Sequence, residues 1–219
     1  MPRSTDNSDR DFFADLLEPF IEKGNRSLPV SDVQALELRL ERADWRKLSY
    51  QLSQSQFSTD GQFLLLPQTS KNGQVPALAL DCEYGPIPRA CLKVCINVVD
   101  GASVRTFGLR FESAALVEGA IGAHSFAHAQ LTSALDLGYA SEEGDSDCHD
   151  THFASYPALF TGARSPGDLL LTTLLSVYGL AQMLAFIDRE KHFFLRQELL
   201  GRLKSLLPEW VVDQLPNDV

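Results

Sequence analysis

Three consecutive stretches with a side-chain period of two constrain this chain more than any other feature. Over 76–84, Leu78, Leu80, Cys82 and Tyr84 alternate with Ala77, Ala79, Asp81 and Glu83. Over 89–99, Ala90, Leu92, Val94, Ile96 and Val98 alternate with Arg89, Cys91, Lys93, Cys95 and Asn97. Over 104–112, Arg105, Phe107, Leu109 and Phe111 alternate with Thr106, Gly108, Arg110 and Glu112. That period belongs to a β-strand with one face toward a core, and no helix can produce it. Gly85-Pro86-Ile87-Pro88 separates the first stretch from the second, and Asp100-Gly101 is a hairpin signal between the second and third. The pattern predicts an antiparallel meander.

Ala123–Thr132 fits two descriptions. As a strand it completes a sheet of about four strands, with His124, Phe126, His128 and Gln130 on one face. As a helix it is Ala-rich and ends at Gly138. Continuity of the sheet favours the strand.

Helical patterns flank the meander. Phe12, Phe13, Leu16, Leu17, Phe20 and Ile21 form an i, i+4 stripe opposite Asp11, Asp15, Glu18 and Glu22. Pro19 predicts a kink or an early end, and Gly24 a terminus. A second helix is expected from Ser31, capped with Gln34, to about Gln54. After a long loop from Gly138, Ser165-Pro166-Gly167-Asp168 has the residues of a helix start. It precedes 19 uncharged residues, Leu169–Ile187. That length suffices for a bilayer. Thr172, Thr173, Ser176, Tyr178 and Gln182 instead favour a buried central helix, and no membrane association is expected. A final helix carries Phe193, Phe194, Leu195, Leu199, Leu203 and Leu206 on its apolar side. The fold class expected is therefore α+β: an N-terminal helical region (1–60), then the sheet and C-terminal helices (61–219), together one compact domain.

Charge narrows the function classes. With 19 Lys+Arg against 29 Asp+Glu the net charge is −10, which argues against nucleic acid as a partner. Residues 136–168 hold seven acidic side chains and one basic, the pattern of a solvated loop or a dock for a basic partner. Residues 1–10 contain no apolar run, so no secretory leader is visible and a cytoplasmic location is expected. Four cysteines without a CxxC pair do not make a disulfide framework. Cys82, Cys91 and Cys95 read as small buried residues.

Two constellations carry possible chemistry. His124, His128, Cys148, His149 and His152 supply nitrogen and sulfur donors of the kind that hold zinc, the candidate cofactor. On a helix His124 and His128 would share one face and grip one ion; on a strand they stand too far apart. Cys148-His149-x-x-His152 matches no established zinc spacing.

The polar face of the meander is the second. Asp81, Glu83, Lys93 and Arg110 are the candidate catalytic groups, and Arg89, Asn97 and Gln130 candidate binding groups, with Glu112 and His128 on the same side. Asp81 followed by Lys93 approaches a nuclease-like Asp…(Asp/Glu)-x-Lys arrangement, but residue 91 is Cys where a second carboxylate would be needed. There is no P-loop, GxGxxG or GxSxG.

Two functional expectations follow. The first is a non-catalytic acidic adaptor, a partner subunit of a larger intracellular assembly that binds protein and is itself open to oligomerisation. The second is a metal-dependent hydrolase or phosphodiesterase built on the histidine cluster.

Overall fold

The computed structural model describes residues 5–37, 40–52, 54–69, 74–85, 89–100, 103–113, 127–132, 159–160 and 163–206. Five helices and seven strands lie in these segments, in the order α1 (Thr5–Ser27), α2 (Val30–Glu37), α3 (Trp45–Gln51), β1 (Gln56–Ser58), β2 (Leu64–Leu65), β3 (Val75–Glu83), β4 (Arg89–Asp100), β5 (Ser103–Ser113), β6 (Ala127–Thr132), β7 (Leu159–Phe160), α4 (Pro166–Phe186) and α5 (Phe193–Leu206). The α+β architecture expected from the sequence is present.

The strands form one antiparallel sheet ordered β1-β3-β4-β5-β6-β7, with β2 also paired to β3. The three alternating stretches are β3, β4 and β5. Their registers pair Asp81 with Cys91, Cys91 with Glu112, and Lys93 with Arg110. Odd positions of β3 and β4 therefore share a face with even positions of β5. Ala127–Thr132 is a strand, so β6 continues the sheet, with Gln130 opposite Arg110 and His128 opposite Glu112. Beyond the expected strands, short β1 and β2 lie end to end along the outer edge of β3.

One face carries the main core. Leu78, Leu80, Cys82, Tyr84, Leu92, Val94 and Phe111 pack against Phe12, Phe13, Leu16, Leu17, Phe20 and Ile21 of α1 and the apolar residues of α4 and α5. Phe13 meets Phe57 edge to face, with ring centroids 5.2 Å apart.

The other face is divided. At one end Val75, Ala77, Ala79 and Cys95 are buried beside Leu36 and Leu40 of the α2 region, with Phe63 and Leu65, in a second apolar cluster. Toward Glu83 and Arg89 the same face opens to solvent.

Several expectations are corrected. α1 runs through Pro19 and past Gly24 to Ser27. Gly24 is not a terminus but a close approach, because a Cβ there would lie 2.3 Å from the Leu65 carbonyl oxygen. The long helix expected over 31–54 is two short ones, α2 and α3. Between them Ala43 N–H donates to Phe63 O (2.9 Å) and Phe63 N–H to Glu41 O (2.8 Å), pinning the chain to the sheet edge. Asp44 then caps α3 by accepting from Arg46 N–H (2.9 Å).

α4 begins as the capping residues predict, with Ser165 accepting from Asp168 N–H. By length and composition α4 is the one helix among the described residues able to cross a membrane. Here its first turns are buried, and it breaks at Gly179, whose φ of 71° is a glycine conformation. Beyond the break it alternates buried and exposed positions, so the helix is not buried all round as expected. In α5 only Leu195, Leu199 and Leu203 are buried, while Phe194 is 81% exposed.

Candidate functional site on the open half of the sheet

The solvated half of the sheet face holds a groove of about 440 Å³. Its base is the β3–β4–β5 face around Ala79, Asp81, Cys91, Lys93, Arg110 and Glu112, and its rim is Ser58, Thr59 and Gly61. The rim is a bulge between β1 and β2. Thr59 N–H donates to Leu80 O (2.9 Å) while Leu80 N–H donates to Thr59 Oγ1 (3.1 Å), and the backbone then turns through positive φ at Asp60 and Gly61. Asp60-Gly61 thus places a wall beside the charged residues.

A row of polar groups crosses five strands in register: Ser58, Asp81, Cys91, Glu112 and His128. The next row holds Ala79, Lys93, Arg110 and Gln130. Arg110 links the two rows. Its guanidinium pairs with Glu112 on the same strand, diagonally across from Cys91 on the neighbouring one. Burial opposes the Arg110 charge, but Glu112 and Cys91 outweigh it and hold the guanidinium above its ordinary range. Burial, followed by the Glu112 carboxylate, pushes the Cys91 thiol up, and Arg110 and Lys93 offset this only in part. Cys91 is therefore a neutral thiol at neutral pH rather than a thiolate nucleophile.

The structure brings together Asp81, Lys93 and Arg110 among the predicted residues. Glu83 and Arg89 face each other at the open end of the same surface. Asn97 belongs elsewhere: it is fully buried at the dry end, where its Nδ2 donates to Val75 O (3.0 Å) and Cys95 O (3.2 Å). It braces the sheet instead of offering an amide to solvent. Gln130 and His128 take their places on β6 by register.

His124, Cys148, His149 and His152 lie outside the described residues. Because Ala127–Thr132 is a strand, the helical i, i+4 grip considered for His124 and His128 does not form at the His128 end. Among the described residues no group of three or more His, Cys, Asp or Glu side chains converges as a metal site would. The register also restates the nuclease-like near miss, since the position opposite Asp81 is Cys91 and the nearest further carboxylate, Glu112, is already occupied by Arg110.

Comparison with known proteins finds no matching family model, no matching curated protein and no matching solved structure. The site is thus read from its own chemistry. Sequence reasoning missed the rim, Ser58, Thr59 and Gly61, and treated Cys91 as packing. The parity of 89–99 already put Cys91 beside Lys93; that signal was available.

Proposed function

We propose that this chain is a non-catalytic acidic subunit of an intracellular, cytoplasmic assembly, and that the open half of its sheet is where a protein partner docks. The observation that carries this reading is the ion pair of Arg110 with Glu112, beside a Cys91 whose thiol burial pushes up. It spends the strongest cation of the groove, and the carboxylate beside it, on each other, and leaves a protonated thiol. Charges of both signs stand at fixed strand positions: Asp81 and Lys93 on a diagonal, Glu83 opposite Arg89. Such an array supplies specificity and register against a surface of complementary pattern. The net charge of −10 favours encounter with a basic partner over nucleic acid.

The test compares two variants of the full chain in its own cells, each checked for folding by thermal unfolding. Arg89→Glu combined with Lys93→Glu is expected to abolish recovery of the partner that wild type retains. Replacing His124, His128, His149 and His152 together by Ala is expected to leave it intact. Loss of binding in the folded histidine variant alone contradicts the proposal.

One observation favours the alternative, a zinc-dependent hydrolase or phosphodiesterase: the β5–β6 register sets His128 opposite Glu112, which is itself opposite Cys91. Elemental analysis of untagged protein decides it. Near-stoichiometric zinc supports that reading, and metal-free protein with an unchanged melting temperature removes it.

A further inference from the structure

A second cavity, of about 290 Å³, lies where α1, the α2–α3 connection and β2 meet, and none of its residues belongs to the sheet-face groove. Its floor is apolar: Ile21, Leu64 and Leu65 are buried, and Trp45 forms a half-exposed wall. The remaining lining is polar, with Asn25, Arg42, Asp44 and Arg46. An apolar floor with a few convergent polar groups is the usual composition of a small-molecule site, and this volume is at the small end of such sites.

The segment 42–44 that carries these groups is held in place. Arg42 bridges to Phe63, and Ala43 N–H donates to Phe63 O (2.9 Å). The Arg42 guanidinium donates to Asn25 Oδ1 and to Glu37 Oε1 (3.3 Å), which uses part of its five N–H donors and orients the rest. Asp44 is committed to the α3 cap through Arg46 N–H (2.9 Å). The Arg46 guanidinium is exposed and has no partner among the described residues.

We infer that this cavity binds a small monocarboxylic acid with a planar apolar body, the body seated on Trp45, Ile21 and Leu64 and the carboxylate held by Arg42 and Arg46. Two guanidiniums match the planar fork of a carboxylate. Charge disfavours a multiply charged ligand: Arg42 and Arg46 are balanced by Asp44 and by Glu37, which pairs with Arg42, so a doubly charged phosphate would meet two carboxylates with no surplus positive charge to hold it. The neutral floor excludes a ligand that is polar throughout.

The chain has two tryptophans, Trp45 and Trp210, so the indole N–H signal of Trp45 is assigned in ¹⁵N-labelled full-length protein by comparison with Trp210→Phe. Benzoate is the probe, with benzamide as its neutral isostere and inorganic phosphate as the compact anion. Benzoate is expected to shift the Trp45 signal saturably, with a midpoint on the order of 1 mM for so small a ligand. Arg46→Gln, at an exposed position, is expected to keep the wild-type melting temperature and weaken benzoate binding about fivefold or more. The inference is overturned by any of three results: no saturable shift up to about 20 mM benzoate, equal binding of benzamide, or unchanged affinity in folded Arg46→Gln. Phosphate binding tighter than benzoate also overturns it. The outcome is independent of partner recovery in the sheet-face variants.

Discussion

Asp9 and Arg202, 193 positions apart, meet in a largely buried ion pair that ties the first helix to the last. Around it, Asp9 also accepts from Tyr84 Oη (2.9 Å), Gly167 N–H (2.9 Å) and Ser165 Oγ (2.6 Å), while Arg202 reaches Asp168 (3.1 Å) and lies over the Phe12 ring. One carboxylate thus connects α1, the end of β3, the start of α4 and α5. This is the polar keystone behind the main core, and it holds the sheet that presents the groove.

Removing that carboxylate strands three donors, while Arg202 keeps Asp168 and Glu198 as partners. Asp9→Ala is expected to destabilise the chain by about 1–3 kcal/mol, the usual cost of leaving buried donors unsatisfied. Asp9→Ala with Arg202→Met is expected to be less damaging than the sum of the two single changes. Denaturant unfolding of the four proteins measures this, and strict additivity would contradict it.

Two glycines in helices make opposite predictions. At Gly24 a Cβ would strike the Leu65 backbone at 2.3 Å, so Gly24→Ala is expected to cost about 1–3 kcal/mol through displaced backbone. At Gly201, an exposed position in α5, nothing lies within 4 Å, and Gly201→Ala is expected to gain about 0.5–1 kcal/mol from helix propensity. Melting temperatures that move in the same direction would refute this account of α1 on β2.

The Cys91 thiol has a pH signature. Its value in the folded chain is raised, first by burial and then by Glu112. The neutral thiol is the form the fold favours, so this contribution to stability is complete below the ordinary thiol range and is lost as pH rises through the raised folded value. Cys82, fully buried and also pushed up, adds to the same alkaline loss. Iodoacetamide labelling of Cys91, followed by peptide mass spectrometry, is expected to be slower at neutral pH than that of a free cysteine. Glu112→Gln is expected to speed it, by removing the charge that opposes the thiolate. A faster reaction in wild type than in Glu112→Gln would reverse the assignment.

Asn97 tests the dry end of the same face. Its amide donates to two backbone carbonyls while completely enclosed. Asn97→Ala is expected to cost about 1–3 kcal/mol. A neutral change in thermal unfolding would show the amide to be dispensable.

The meander was legible because period two is a local signal, and Asp81, Lys93, Arg110 and Glu112 gathered on one face for that reason alone. What local patterns did not carry was long-range competition. The apolar run through 31–54 reads as one helix until Phe63 takes the backbone bonds of Glu41 and Ala43. Pro19 and Gly24 read as breakers, yet tertiary packing carries α1 through both. The polar face looked uniform, and only its cover by the α2 region separates buried Asn97 from the exposed Glu83–Arg89 end. Nor does any periodicity place Asp9 beside Arg202.

The docking role of the open sheet half is tested most directly by a photo-crosslinking amino acid placed in vivo at exposed Asp81, with exposed Ser49 on α3 as the control position. The account predicts one discrete protein adduct from position 81, none from position 49, and its loss when Arg89→Glu and Lys93→Glu are added. No adduct from position 81, or the same adduct from both positions, would contradict it.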